Sequence, residues 1–152
     1  MKISPAGLAL IKREEKFMPR LYRCPAGKPT IGYGHVVQAG EQHLLTATLT
    51  EAEASELLQR DVDQQYGAHV AARLLRDVTQ PQFDALVSLC FNIGTGGFDK
   101  SSVLALANAG STNAQAIRTA FGLWNKITVK GIKQVAPGLV ARRAREAALY
   151  LS

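Results

Sequence analysis

The stretch Glu14–His35 constrains this chain most, because it crowds two adjacent carboxylates, a cysteine and several turn-forming residues into a short segment. The sequence Cys24-Pro25-Ala26-Gly27 has the composition of a chain-reversing turn, so we expect Cys24 to approach Thr30 across a hairpin. The two glycines that flank Tyr33 indicate a strand with a close backbone approach or a bulge. The segment therefore predicts a catalytic hairpin that follows a short helix.

The N-terminal segment carries a helix-start signal. Ser4 is a good N-cap residue, and Pro5 fits the first helical turn. We expect this helix to run to Lys16 or Phe17 and to end before Pro19, because proline disrupts a helix. The apolar periodicity does not decide which of the two adjacent glutamates near the helix end points inward.

The segment Thr50-Glu51-Ala52-Glu53 is a capping box that predicts a long helix to about Tyr66 or beyond, with Gly67 as a residue that ends or bends it. The later signals are a capping box at Thr79–Gln82, a glycine break at 94–97, a helix at Lys100–Asn108, a helix capped by Ser111, a loop at Ile127–Val135 and a last helix from Pro137. The pattern predicts an α+β, mainly α, chain. A small N-terminal lobe (1–49) is joined by the long helix (50–66) to a helical C-terminal lobe (67–152).

Length and charge narrow the class of protein. The 152 residues suit a single domain, and the net charge of +6 favours anionic partners. No Lys/Arg run, RNP motif or zinc-finger pattern supports nucleic acid as a partner. Cys24 and Cys90 are too few for a disulfide scaffold and have no metal-ligand spacing, so we expect no metal and no cofactor.

The sequence contains no run of 18 apolar residues, so we expect no membrane insertion. The apolar stretch at its start is too short for a signal peptide. We therefore expect the chain to accumulate in the cytoplasm. Whether the native gene encodes further N-terminal residues stays open.

Glu14 and Glu15 at a helix end, followed by a polar hairpin, suit glycoside hydrolysis. That reaction needs a carboxylic acid to protonate the leaving oxygen and a second group across the sugar that activates water or attacks directly. The alternative is that both glutamates are solvated helix-end residues, which is the commoner fate of surface carboxylates. Spacing alone favours this alternative.

A family resemblance favours the catalytic interpretation of this glutamate pair over the solvated one. The segment EEKFMPRLYRCPAGKPTIGYGH resembles the Glu-Gly…Tyr-x-Asp-x3-Gly-x2-Thr-Ile-Gly-Tyr-Gly-His signature of phage-type lysozymes, the endolysins of the T4 lysozyme-like glycoside hydrolase family. Four further segments resemble that family in the right order: LTEAEASELLQRDVD, FNIGTGGFDKSSVL, FGLWNK and GLVARRAREAALYL. The resemblance covers nearly the whole chain.

The resemblance assigns roles position by position. The catalytic glutamate of the family falls on Glu15, since the spacing to Tyr22 fits, and its catalytic threonine falls on Thr30. The chain departs from the family at the catalytic aspartate, whose position holds Cys24. Residue 16 is also Lys16 where the family usually has glycine.

Three interpretations of Cys24 stay open. It is a natural catalytic thiol, as in a branch of these endolysins with cysteine in the aspartate position, an engineered replacement, or a neutral thiol in an inactive protein. A thiolate acts as a base or a nucleophile. The pKa of a free thiol is about 8.5, so only a few per cent ionises at neutral pH. An ionised Glu15 would raise that pKa, whereas Arg20, Arg23 or Lys28 would lower it.

His35 has two interpretations, as a catalytic base or as a structural residue. The resemblance favours the structural role, because the equivalent histidine of the family pairs with an aspartate of the inter-lobe helix, which maps to Asp61. Such a pair would raise the pKa of His35.

The remaining assignments concern the C-terminal lobe. Phe91 and Ser101 match family positions that line the sugar cleft, although a core phenylalanine and a helix-start serine explain them equally well. Trp124 is expected in the core rather than as a sugar platform, and Cys90 is expected to be a buried, inert thiol. Three further arginines are expected to form a mostly solvated basic face that meets peptide carboxylates: Arg142, Arg143 and Arg145.

The resemblance implies a monomeric, lysozyme-like endolysin that hydrolyses the β-1,4 bond between N-acetylmuramic acid and N-acetylglucosamine in bacterial peptidoglycan and causes host lysis. Glu15 would be the general acid, Cys24 the base or nucleophile, and Thr30 the residue that positions water. A base predicts inversion and a nucleophile retention, and the family favours inversion. The alternatives are an inactive cell-wall binder and a lytic transglycosylase.

Overall fold

The structure, a computed structural model, describes all 152 residues. Its helices are α1 (Pro5–Glu14), α2 (Glu51–Asp61), α3 (Ala68–Arg73), α4 (Gln80–Ile93), α5 (Thr95–Asp99), α6 (Ser102–Ala109), α7 (Ala114–Gly122) and α8 (Pro137–Tyr150). Its strands are β1 (Met18–Arg23), β2 (Pro29–Gly32), β3 (His35–Val36), β4 (Lys126–Val129) and β5 (Ile132–Val135). The predicted α+β, mainly α, lysozyme-like class is confirmed. No helix is long and apolar enough to cross a membrane.

Helix α1 begins as predicted but ends early. The Ser4 hydroxyl accepts a hydrogen bond from the backbone N–H of Gly7, which caps the helix. The helix ends at Glu14, and Glu15 already has extended backbone angles of φ −99° and ψ 138°. The predicted end at Lys16 or Phe17 is therefore wrong. The chain needs these residues to enter strand β1, which pairs with β2 from Met18 onward.

Strands β1, β2 and β3 form an antiparallel sheet in that order, with a register shift in β1 between Met18 and Tyr22. Gly32 lies in the left-handed region at φ 71°, and a Cβ there would meet the Cβ of Ala54 at 3.4 Å. The close backbone approach predicted around Tyr33 is thus present, and it brings the sheet against α2.

The connecting helix begins with the predicted capping box, in which Thr50 and Glu53 exchange side-chain-to-backbone hydrogen bonds. It continues past Tyr66 through a π-helical segment, Val62–Gly67, and then α3. The prediction offered two alternatives, that Gly67 ends this helix or bends it. The first is wrong, because Gly67 is helical, with φ −63° and ψ −43°. A Cβ at Gly67 would lie 3.4 Å from the Val62 carbonyl oxygen, which is an ordinary van der Waals distance, so packing does not require a glycine here.

The C-terminal lobe packs around α4, which begins with the predicted capping box and is fully buried from Phe83 to Cys90. Two local predictions are wrong. Helix α7 is capped by Asn113 rather than Ser111. The loop expected at Ile127–Val135 is the hairpin β4–β5, since a run rich in β-branched residues folds about a two-residue Lys-Gly turn with positive φ at both positions.

Candidate active site

Glu15 lies between α1 and β1, where this part of the chain contacts the C-terminal helix α8. Its side chain is 30% exposed, and its Oε1 lies 3.5 Å from Nη1 of Arg142. The early end of α1 produces this placement, because Glu15 sits at the helix C-cap rather than inside the helix. Glu14 points to a different partner and pairs with Arg145.

Arg142 and Arg143 are not a solvated face, and the expectation that they would be is wrong. They are only 4% and 1% exposed, and both contact the fully buried Glu146. The Ser88 hydroxyl donates to Oε1 of Glu146 at 2.7 Å, and Arg142 Nε donates to the same oxygen at 3.2 Å. Arg142 thus bridges a carboxylate of the core to Glu15.

The helix sequence carries a signal that was missed. Arg142 and Arg143 precede Glu146 by four and three residues, which is the spacing of ion pairs within a helix. A buried Glu146 needs such partners, and burial still raises its pKa above the ordinary value of a glutamate. Burial also lowers the pKa of the Arg143 guanidinium.

Cys24 stands at the turn between β1 and β2. Its carbonyl accepts the Gly27 N–H at 2.7 Å, and its own N–H donates to the Lys28 carbonyl at 3.0 Å. Gly27 takes φ 76°, which completes the turn that the sequence predicted. The Tyr22–Thr30 pair of the sheet brings Thr30 toward Cys24.

The surroundings of Cys24 favour its thiolate. Its pKa is lowered below the ordinary value, chiefly by the backbone N–H of Lys28, and further by the Thr30 hydroxyl, the Ala26 backbone and the Lys28 charge, while desolvation opposes the shift. Thr30 is only 2% exposed, and its hydroxyl donates to the Lys28 carbonyl at 3.0 Å. Since a hydroxyl has a single proton, ionisation of the thiol would draw that proton from the carbonyl to the sulfur.

Two tyrosines connect these groups electrostatically. Burial raises the pKa of Tyr22, and the charges of Cys24 and Glu15 raise it further. Tyr66, in the π-helical segment, also has a raised pKa, chiefly because of burial and further because of the Asp61 and Glu15 carboxylates. The charges of Glu15 and Cys24, the two groups that the sequence assigned to catalysis, therefore both act on Tyr22. The spacing of residues in the sequence does not predict this effect on Tyr22.

His35 is buried, at 6% exposure, between two carboxylates. Its Nδ1 lies 2.6 Å from Asp61 Oδ2, which is the contact that the family resemblance implied, and its Nε2 lies 2.7 Å from Glu41 Oε2. The Asp61 contact is the largest cause of a raised His35 pKa. The Gln38 backbone N–H is the largest cause that lowers the pKa of Glu41 to about 2, with His35 and Arg60 adding to it. Because carboxylates occupy both ring nitrogens, the charged imidazolium is the favoured form.

A cavity of about 690 Å³ opens beside this cluster, between the sheet and the connecting helix. Phe91 lines this cavity and packs edge-to-face on Tyr66 with ring centroids 5.0 Å apart, whereas Glu15, Cys24 and Thr30 do not line it. The contact of Phe91 with a sugar stays a prediction. Its other lining residues include polar side chains suited to hydroxyl-rich ligands: Gln38, Arg60, Gln64 and Gln65.

Ser101 is buried, and its hydroxyl has two protein partners. It donates to the Phe98 carbonyl at 2.7 Å and accepts the Leu104 N–H at 3.2 Å, which caps α6. The helix-start alternative thus accounts for this serine, and its contact with a sugar stays a prediction. Cys90 is fully buried, and burial raises its pKa to about 12, so the expected inert thiol is confirmed.

Trp124 lies between the core and a second cavity. Its ring covers Gly97, where a Cβ would lie 3.3 Å from the indole, so it packs on the core as predicted. It also lines a cavity of about 520 Å³ that Asn92, Lys126 and Lys133 line as well. Trp124 thus packs against the core as predicted while it stays partly exposed.

Comparisons with known proteins agree with this geometry. The phage lysozyme family model matches residues 12–146. The endolysin of Salmonella phage P22 is 38% identical, with 100% of this chain and 99% of the relative covered. The endolysin of Bacillus phage PZA is 42% identical over all of this chain, which spans only 56% of that relative. The muramidase domain of SpmX from Asticaccaulis excentricus superposes with a TM-score of 0.85 at 38% identity, covering 99% of this chain and 98% of that domain.

The fold and the matched residues define a glycoside hydrolase of the lysozyme, or muramidase, type. The chain belongs to the phage lysozyme family.

Proposed function

We propose that this protein is a peptidoglycan-degrading endolysin in which Glu15 is the general acid, Cys24 takes the base or nucleophile position, and Thr30 positions water or bonds the group at residue 24. The bond cleaved is the β-1,4 linkage between N-acetylmuramic acid and N-acetylglucosamine. The observation that carries this assignment is the placement of Glu15 at the C-cap of α1, where it is partly exposed, contacts Arg142 at 3.5 Å and leads into the hairpin that carries Cys24 and Thr30.

The surroundings of each group support its role. Glu15 is partly exposed, at 30%, and Arg142 contacts one of its two oxygens, so the carboxyl is held while still open to a substrate. The low pKa of Cys24 increases the fraction of thiolate at neutral pH, which a base or nucleophile requires. Phe91 and the polar residues of the 690 Å³ cavity are proposed to bind the glycan.

His35 and Asp61 are proposed to have a structural role. Both ring nitrogens of His35 bond to carboxylates, so neither nitrogen has a free lone pair to remove a proton from water. The cluster instead ties the sheet to the connecting helix beneath the cleft.

The assignment of Glu15 is tested with a matched pair of variants, Glu15→Gln and Glu14→Gln. Both remove one negative charge from the end of α1, and each removed carboxylate has an arginine partner on α8. Lysis of cell-wall suspensions should fall by at least about a hundredfold in Glu15→Gln and stay near wild type in Glu14→Gln. A fully active Glu15→Gln variant would rule out the whole catalytic assignment.

The role of Cys24 is tested with Cys24→Ser and Cys24→Asp. Aspartate is expected to retain activity, because it supplies the carboxylate usual at this position, and serine is expected to lose it. Mass spectrometry of the digest separates the reactions: a reducing-end product with added water indicates hydrolysis, and an anhydro-sugar indicates a lytic transglycosylase. The anomer formed first separates inversion, which implies a base, from retention, which implies a nucleophile.

The cellular route is part of the proposal. We expect the protein to accumulate in the host cytoplasm and to reach the cell wall only when the membrane is opened, late in a phage cycle. The protein is expected to act as a monomer.

A further inference from the structure

The hairpin β4–β5 differs from the rest of the chain because all eight of its strand residues are exposed. It projects between Trp124 and α8, and its tip is the Lys130-Gly131 turn, with φ of 51° and 79°. The three-stranded sheet of the N-terminal lobe, in contrast, buries most of β2.

The register of the hairpin sorts its side chains onto two faces, since directly opposed residues of an antiparallel pair point to the same side. Val129 opposes Ile132, and Ile127 lies two residues along the strand on the same side. We name these three residues the apolar face, and they are 37%, 65% and 47% exposed, respectively. Gln134, opposite Ile127, completes that side of the hairpin. The opposite side, which we name the basic face, carries Lys126, Thr128, Lys133 and Val135.

Neither the core nor the proposed chemistry explains the two apolar-face residues nearest the tip. Lys126, Thr128 and Lys133 line the cavity beside Trp124, and so does Ile127. Val129 and Ile132 line neither that cavity nor the one beside Phe91. The largest exposure of this set belongs to Ile132, which is the residue next to the tip.

We infer that the β4–β5 hairpin docks on an anionic lipid surface, with the apolar face entering the headgroup boundary and the lysines contacting lipid phosphates. An apolar side opposite a basic side is the pattern of elements that lie in a membrane interface. The net charge of +6 complements an anionic leaflet. The attachment is superficial and independent of the proposed catalytic roles.

Two other occupants fit less well. Four-residue strands offer much less area than the roughly 800 Å² per partner that a stable dimer buries. A soluble anionic polymer would engage the lysines but would leave the apolar face in water.

The test is co-sedimentation of the full chain with vesicles of phosphatidylglycerol and phosphatidylethanolamine, and with vesicles of phosphatidylcholine alone. Wild type should bind the anionic vesicles and should be released as salt is raised. The double variant Val129→Thr with Ile132→Thr keeps β-branched side chains and should bind about tenfold less. Lys130→Asn keeps a residue suited to positive φ and should bind about fivefold less.

Thr128→Val is the matched control. It makes the reverse exchange, from Thr to Val, on the basic face and should not reduce binding. Circular dichroism and turnover of soluble glycan fragments check that the double variant is folded. Wild type that stays in the supernatant with anionic vesicles overturns the inference. A double variant that binds like wild type also overturns it, because the protein would then adsorb through charge alone. A wild-type dimer that the double variant dissociates overturns it too, because a second copy of the chain would then be the occupant.

Discussion

Arg142 Nη1 and Glu15 Oε1 lie 3.5 Å apart although 127 residues separate them in the chain. The guanidinium is 4% exposed, and its Nε also donates to the buried Glu146, so the arginine cannot follow Glu15 into solvent. A rigid residue of the last helix therefore orients the proposed acid at the end of the first helix.

Replacement of Arg142 by Met should lower kcat by about tenfold to a hundredfold, because Glu15 loses the group that orients it. The free energy of unfolding should fall by about 3 kcal/mol, since Glu146 keeps its burial and loses a partner. Steady-state kinetics and urea unfolding measure the two effects. Ser88→Ala is the control, because it removes a hydrogen bond to Glu146 without touching Glu15 and should cost stability alone. A proportional loss of kcat in Ser88→Ala would mean that Arg142 acts only through stability.

Cys24 should react with iodoacetamide with a half-maximal rate at a pH below the ordinary pKa of a thiol, because backbone and side-chain donors favour its thiolate. Thr30→Val should raise that pH, since it removes the hydroxyl. Lys28→Met should raise it less, because the backbone N–H of residue 28 remains and its side-chain charge is the weakest of the causes. Mass spectrometry of the alkylated protein gives the rates. Cys90 is the internal control, and a native protein that gains two adducts at neutral pH would contradict the assignment.

The His35 cluster should make the stability of the protein depend on pH. The pKa of His35 is raised by folding, so its contribution is complete below the unfolded value of about 6.5 and is lost as pH rises through the folded value. The pKa of Glu41 is lowered to about 2, so its contribution is complete above its unfolded value of about 4.3 and is lost as pH falls toward 2. Urea unfolding should therefore show the full contribution of the cluster between about pH 5 and 6.

His35→Asn should flatten the alkaline side of this profile. His43→Asn is the matched control, because His43 is exposed and lies on the short 3-10 helix beside the cluster. An unchanged profile in His35→Asn would show that other groups produce the pH dependence.

Gly32→Ala and Gly34→Ala should destabilise the protein by similar amounts. Both glycines have positive φ, at 71° and 85°, so both variants carry a backbone cost of about 1 kcal/mol. A Cβ at Gly32 would meet Ala54 and Leu49 at 3.4 and 3.6 Å, which are ordinary van der Waals distances, and a Cβ at Gly34 meets nothing within 4 Å. The difference between the two midpoints of thermal unfolding isolates the packing between the sheet and α2. A clearly lower midpoint for Gly32→Ala would mean that this packing does not admit a methyl group.

Local signals in the sequence predicted much of the fold. The capping boxes at Thr50 and Thr79 and the turn after Cys24 are recognised from neighbouring residues, and the structure contains each of them. The end of α1 and the extension of the connecting helix past Gly67 were not predictable in this way. The first depends on strand pairing with distant residues. The second reflects that a glycine tolerates helical angles, such as those of Gly67, at a cost of only about 1 kcal/mol.

The candidate site was predicted less completely. The family resemblance supplied Glu15, Cys24 and Thr30, and spacing within the hairpin explains why the last two lie together. Arg142 was misjudged as a surface charge because only the tertiary fold shows that a carboxylate is buried beneath it. Glu41 was missed because a polar loop, whose length does not specify its path, carries it back to His35.

The contact between Glu15 and Arg142 also sets an order of events during synthesis. A ribosome makes Glu15 near the beginning and Arg142 near the end, so a partly synthesised chain holds the proposed acid without its arginine partner. The contact between the two residues forms only after α8 has left the exit tunnel and docked. On the proposed assignment, fragments released before α8 is made lack the residue that orients Glu15 and should hydrolyse cell wall poorly.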